Sequence, residues 1–488
     1  MKKLIYIITF GFLMITSSCN DYLDINDSPN SPSSAGANLI LPAGQASIAV
    51  VTAGIYNNLG GFLAQYWTQA VTANQYNDLD QYLLKTDDYE RQWDELFAGA
   101  LNDLEFIKVE FVENEDWGNH LVAVTLQAYA FQMLVDLHDK VPYAQALNPA
   151  EFMNPEWDNG KDVYAGILAS LDDAINKAKS DTNSSIFDED LLLGSNVQAW
   201  LQFARSLKLK ILMRQSNVED VSSAVQQLLS EGSFLQQSVA MTTFQDEQNK
   251  RNPWFEVQVD RLSGSSAANS INHVACYSLT QYLLSMGDPR LASIYLPAKD
   301  DAEFGLYGSN YPGASKAGQR SSNTTSDDSY ARVNIGKTDP AYIMILPEVY
   351  FLIAEAELRF NNDDAAAKAS YEAGISASLD MHGAFNDGSL YGPSGSYAWD
   401  SGKPIDRRLE DIYMQRWIAF AKFLSIEGWI ELRRTDYPVR MAFDYSGDAP
   451  VGVLLSPFQN KLGVGLFPNR IWYPESERSA NLNSPEQP

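Results

Sequence analysis

"IDRRLEDIYMQRWIAFAKFLSIEGWIELRRTDYP", residues 405–438, decides how this chain is built. Leu409, Ile412, Ala419, Phe423, Ile426 and Ile430 recur at helical spacing and form one apolar stripe. Tyr413, Trp417, Phe420 and Leu424 form a second beside it. A helix with two adjoining stripes packs against more than one neighbour. The spacing predicts one long, buried helix over 405–432, in a fold of helix on helix. Arg433 and Arg434 follow as helix-end cations, suited to satisfying the last carbonyls and pairing with acids.

The same signal recurs along the chain. Residues 39–67 are apolar-rich, interrupted by Gly60-Gly61. Asp87 reads as the N-cap of a helix to about Glu113, followed by a more apolar helix over 117–137. Val163, Ile167, Leu171 and Ile175 recur every four residues in 162–178. In 196–213 Trp200, Phe203, Leu207 and Leu212 point inward, with Arg205, Lys208 and Lys210 outward. Further helices are expected over 218–229, 277–286, 347–360 and 364–379. They arrive in pairs with short links, as stacked helical hairpins do. The pair from Pro347 fits a tetratricopeptide pattern at Tyr350, Ile353, Ala354, Ala366 and Ala373 and misses it at Glu357 and Ser370. Small residues there let two helices approach closely.

The N-terminus reads differently. Lys2-Lys3, an apolar run from Leu4 to Ile15 and the small residues before Cys19 describe a secretory signal peptide over 1–18. The apolar run is shorter than the ~20 residues that span a bilayer. Small residues directly before a cysteine form a lipobox, so Cys19 is the expected lipidation site, and several acyl chains hold where one would not. Residues 19–38 read as a tether, rich in Asp, Asn, Ser and Pro. Asp24, Asn26 and Ser28 mimic a calcium loop, but Pro29 and Ala35 stand where it needs Gly and Glu. No later apolar run reaches membrane length on this reading.

The chain has 488 residues, 45% of them hydrophobic, enough for a substantial core. Its net charge is −27, a field that repels nucleic acid. Only Cys19 and Cys276 are present, so acylation of the first leaves no internal disulfide. The four histidines form no His-Glu-x-x-His site and read as structural or solvated. Neither a nucleophile elbow nor a P-loop is present, and Gly463-Val464-Gly465 lacks the third glycine of a dinucleotide loop. The sequence implies no cofactor, no metal and no catalytic residue.

Long segments over 69–83, 244–272, 298–338 and 385–404 are rich in Gly, Ser, Asn, Asp, Tyr and Trp. Long loops in a compact protein are often functional. An aromatic ring there can cover the C–H face of a sugar or an apolar peptide side chain. The expected ligand contacts are Tyr76, Tyr82, Trp254, Tyr307 and Tyr311, rings in polar segments without helical periodicity. Arg251 and Asn252, beside Trp254, could add hydrogen bonds.

Several stretches resemble the SusD/RagB family of nutrient-binding outer-membrane lipoproteins. These are Cys19 with Asp21-Tyr22-Leu23-Asp24, "HDKVPYAQAL" at 138–147, "GDPRL" at 287–291, "LPEVYFLIAEAELR" at 346–359 and "QRWIAFAKFLSIEGWIELRRTDYP" at 415–438. The resemblance implies a mostly α fold of about four tetratricopeptide-like hairpins with a loop-rich ligand-binding part, one SusD-like domain over 39–488. It implies a lipid-anchored protein on the cell surface at the outer membrane. Such a protein lids a SusC-type TonB-dependent transporter and delivers nutrient oligomers to it without hydrolysing them. An oligosaccharide is the expected ligand. An oligopeptide is the alternative, and a surface hydrolase or a pure tetratricopeptide scaffold stands further off.

Overall fold

The computed structural model describes residues 35–258, 270–314, 326–445 and 449–487. The signal peptide, Cys19 and the tether as far as Ser34 lie outside the described residues. The helices used below are α1 (Ala37–Val51), α2 (Asn57–Leu63), α3 (Asn102–Glu113), α4 (Trp117–His138), α5 (Gly160–Ser180), α6 (Val197–Gln215), α7 (Ser222–Glu231), α8 (Tyr277–Met286), α9 (Leu346–Ala356), α10 (Asp364–Met381), α11 (Ile405–Phe420) and α12 (Ser425–Thr435). Consecutive helices pack as hairpins: α3 with α4, α5 with α6, α9 with α10, and α11 with α12. The fold is mostly α and tetratricopeptide-like, as its sequence predicts.

Local chemistry sets several boundaries. The Asp116, Asn196 and Asp363 side chains accept from Asn119 N, Ala199 N and Ala366 N and start α4, α6 and α10. Asp87 does not act this way: the helix there starts at Glu90, with Tyr89 at the cap position. Helix α4 is apolar around its circumference and buried on nearly every side, packed against α3, α5 and α6. It and the continuous helix Ala37–Leu63 are long and apolar enough to cross a membrane, which corrects the expectation that no later run reaches that length. The burial of α4 is that of a core helix. Gly60-Gly61 does not interrupt α2. A Cβ at Gly60 would collide with the backbone of Ile426 in α12, and one at Gly428 with the Tyr66 ring. Missing side chains let α2 and α12 touch along their backbones. Gly374 serves α9 and α10 in the same way, a Cβ there lying 2.6 Å from the Phe351 ring.

The predicted helix over 405–432 is broken. Helix α11 ends at Phe420, Lys422 takes a positive φ of 76°, and α12 begins at Ser425. Asn57 of α2 satisfies the groups freed by the break. Its Nδ2 donates to Lys422 O (2.9 Å) and its Oδ1 accepts from Ser425 N (2.6 Å). Trp417 is buried beside the break. Its indole N–H donates to Ala64 O (3.1 Å), and Tyr66 Oη donates to the Trp417 carbonyl (2.6 Å).

A buried ionic network crosses the hairpins. Lys210 and Arg205 do not point outward as predicted; Lys210 is 1% exposed. Lys210 Nζ lies 2.6 Å from Glu427 and 3.2 Å from Glu348. Arg214 pairs with Asp136 (3.1 Å), Glu427 and Glu431. Glu355 receives Arg416 (2.8 Å), Arg434 (2.6 Å) and Arg359 (2.8 Å). Burial pushes its carboxyl up, but Arg434 and Arg416 outweigh that and hold it well below the usual carboxylate range. Arg433 Nη2 donates to Asp136 O (2.6 Å), and its guanidinium stacks on Trp429 at 4.2 Å. Arg434 pairs with acids as expected, whereas the carbonyls that Arg433 reaches belong to Asp136 of α4 and to Asn469, not to the end of its own helix. The "GDPRL" turn holds a second buried pair, Asp288 with Arg290 (2.6 Å), which ties α8 to Ser378 of α10 and Gln415 of α11.

Strands are short. They are β1 (Trp67–Thr68), β2 (Val141–Pro142), β3 (Trp157–Asp158), β4 (Val239–Met241), β5 (Val274–Ala275), β6 (Tyr295–Leu296), β7 (Arg332–Val333), β8 (Ala341–Met344), β9 (Val439–Met441) and β10 (Val453–Leu455). The largest sheet has the order β1-β5-β7-β6, with antiparallel neighbours.

Candidate functional site

The four-stranded sheet gathers three of the four long segments. Residues 69–83 leave β1, 270–273 lead into β5, and 326–331 lead into β7. Side chains then lock them together. Asn310 Nδ2 donates to Gln69 O (3.0 Å), Gln69 Nε2 to Asn272 Oδ1 (2.7 Å) and Asn272 Nδ2 to Gln75 Oε1 (2.9 Å). The Thr72 amide and hydroxyl both bond the Asp327 carboxylate, and Ala331 N donates to Gly308 O (2.8 Å). These segments bear half-buried Tyr76, Ile271, Phe304 and Tyr307 among polar Thr72, Gln75, Asp327 and Asp328. Residues 385–404 pack elsewhere: Tyr397 Oη donates to Asp288 (2.9 Å) and Trp399 Nε1 to Asp364 (3.1 Å).

The expected contacts divide between this face and the core. Tyr76 is half-buried, with its ring 5.4 Å from Phe62 and 5.3 Å from His273, and Tyr307 is half-buried against the main core. Trp254 is 1% exposed and stacks on Trp67 at 4.4 Å. Tyr82 is 1% exposed and accepts from Gln65 Nε2 (2.9 Å). Tyr311 is buried among Tyr277 (4.9 Å), Tyr445 (5.1 Å) and Phe443 (5.9 Å). Asn252 is a buried cap. Its Oδ1 accepts from Trp254 N (2.9 Å) and Phe255 N (3.0 Å), and its Nδ2 donates to Asp339 O (2.8 Å). Arg251 is half-buried and held by Asp246 (2.9 Å) and Glu256 (3.4 Å). In this structure Trp254, Tyr82, Tyr311 and Asn252, expected as ligand contacts in polar segments, are buried and hold the fold. Phe304, Ile271 and Asp327, which the sequence reading passed over, take up the face instead. Phe304 lies in the same polar segment as Tyr307 and carries the same signal.

Asp80, His273 and Cys276 are buried. Burial, partly offset by the bond from Thr68 and by backbone amides, pushes the Asp80 carboxyl up to about 7. Burial lowers His273 to about 3, and its Nε2 lies 2.6 Å from Asn58 Oδ1. Burial raises the Cys276 thiol to about 12, which keeps it protonated and a poor nucleophile. The accessible part offers ring edges and faces, amides and carboxylates: the means of binding a neutral polar ligand by stacking and hydrogen bonds.

A family model described as starch-binding and associating with the outer membrane matches residues 29–450. The chain belongs to the SusD-like family. Comparison with curated proteins returns no match. Among solved structures, a SusD homolog from Bacteroides uniformis is 20% identical with a TM-score of 0.70, over 91% of this chain and 94% of that one. A SusD/RagB family protein from Bacteroides thetaiotaomicron is 21% identical with a TM-score of 0.72, over 92% and 95%. A chitin-binding SusD homolog from Flavobacterium johnsoniae is 18% identical with a TM-score of 0.72, over 92% and 97%. At these identities the likeness is one of fold, and it spans nearly the whole of each chain.

Proposed function

We propose that this SusD-like protein is a cell-surface lipoprotein that binds nutrient oligosaccharides and passes them to a SusC-type TonB-dependent transporter in the outer membrane. The family match over residues 29–450 carries the reading. The chitin-binding character of the Flavobacterium johnsoniae homolog favours a glycan over a peptide. Residues 39–488 act as one binding domain, Cys19 carries the acyl anchor, and the protein captures its ligand without catalysis.

The ligand lies across the joined loop face, where Tyr76 and Tyr307 are the expected aromatic contacts that keep accessible surface. A ring that covers ~100 Å² of sugar contributes roughly 2–3 kcal/mol. Calorimetric titration of the full chain with starch- and chitin-derived oligosaccharides tests this. Tyr76→Ala and Tyr307→Ala should each weaken binding by about 1–3 kcal/mol. Wild-type affinity in both variants would remove the loop face from the reading. Binding of mixed oligopeptides with no glycan bound would replace the ligand class. Cys19→Ala should leave the membrane fraction, and tight membrane association of that variant without the transporter would refute the anchor.

A further inference from the structure

A separate cavity of about 410 Å³ lies among α3, α4 and α5, and none of its lining residues belongs to the loop face. Small ligands are held in pockets of roughly 300–1,000 Å³. Helix α4 builds one wall: His120, Val124, Gln127, Ala128 and Phe131 line the cavity, at a spacing that puts them on one helix face. Tyr143, from the "HDKVPYAQAL" turn, meets Phe131 edge to face at 4.8 Å. Gly166 of α5 makes room for that tyrosine, because a Cβ there would strike its ring. The result is a fixed aromatic corner.

The polar lining is balanced in charge. Lys108 pairs with Glu105, and Gln127 Nε2 donates to the same carboxylate (2.9 Å). Asp173 pairs with Lys177 (2.9 Å). Burial and then Lys177 lower His120 to about 4, so its imidazole is neutral near pH 7. Its Nδ1 is buried without a hydrogen-bond partner among the described residues. An ion entering the cavity meets no unpaired counter-charge, and a hydrocarbon gains nothing from the Gln127 amide and the Ser170 hydroxyl in its lining. A molecule with an apolar C–H face and several hydroxyls meets both the aromatic corner and the neutral polar groups.

We propose that this cavity is a second ligand site, taking a single neutral sugar ring against Phe131 and Tyr143, with its hydroxyls toward His120, Gln127 and Ser170. The proposal stands on the cavity alone and does not depend on the loop face. Saturation-transfer NMR on the purified full chain tests it, with glucose, galactose and N-acetylglucosamine at millimolar concentration as probes. The probes are applied to wild type and to the Tyr76→Ala/Tyr307→Ala double variant, which disables the loop face, and at least one sugar should still show saturation transfer to the double variant, whose signal reports the cavity. Ser170→Trp and Ala144→Trp place bulk at exposed lining positions, and each should weaken binding at least tenfold while leaving the far-ultraviolet circular dichroism as in wild type. Glucuronate, which adds an unpaired charge, should bind more weakly than glucose. Failure of all three neutral sugars to bind would overturn the site. Binding that survives both tryptophan substitutions would do the same, since the sugar would then lie elsewhere.

Discussion

Glu355 receives three guanidinium groups and the Tyr413 hydroxyl (3.0 Å) without exposing any of its surface. Glu355→Gln keeps its shape, removes its charge and turns an NH2 group toward arginine donors. Breaking a buried ion pair from one side costs about 3–5 kcal/mol, because the other charge stays buried. Arg416 and Arg434 keep Glu431 at 2.5 and 2.7 Å, which places this substitution toward the low end, at about 3 kcal/mol. Equilibrium urea unfolding at pH 7, followed by circular dichroism and tryptophan fluorescence, measures the loss. The pH dependence adds a second readout. The native carboxyl titrates below the unfolded value of about 4.3, so its stabilisation is fully present above that pH. It is lost as pH falls through the depressed native value. The gap between wild type and Glu355→Gln should therefore be constant near neutrality and narrow in the acid range. A variant within about 0.5 kcal/mol of wild type at pH 7, the scale of an ordinary surface change, would refute the reasoning.

Trp417→Ala removes a buried ring and the bond to Ala64 O, and should cost about 3–5 kcal/mol in the same assay; an unchanged midpoint would mean that the ring does not pack as described. Gly60→Ala should destabilise the protein although helix propensity alone favours alanine by about 1 kcal/mol; a stabilised variant would show that α2 and α12 do not meet there. Arg290→Met leaves Asp288 buried without its cation and should cost about 3–5 kcal/mol, whereas a loss under 1 kcal/mol would place the pair in solvent.

Much of the scaffold is legible in the sequence, because apolar spacing reports directly on which helix face is buried. The expected bounds of α8, Tyr277–Met286, coincide with the observed ones, and Asn196, the expected start of α6, is its N-cap. The break between α11 and α12 is hidden because Phe420, Ala421, Phe423 and Leu424 continue the apolar run with neither glycine nor proline to mark the turn. What ends the helix is Asn57, some 365 residues away. Lys210 misleads for a related reason: periodicity places a lysine outside unless its partners are known, and Glu427 and Glu348 come from other helices. The loop face is half legible. Aromatic residues in polar segments mark the region, but composition cannot tell a ring that folds back onto Trp67, as Trp254 does, from one left at the surface, as Tyr76 is.

The contact of α2 with α12 bears on how the chain matures. Asn57 and Ser425 are 368 positions apart, yet each completes the other's hydrogen bonding. A polypeptide that emerges N-terminus first cannot finish its opening helices until its closing hairpin has followed. Long-range closure of this kind slows folding and keeps the early apolar segments exposed while they wait. Truncated chains lacking α12 should therefore be substrates for holding chaperones.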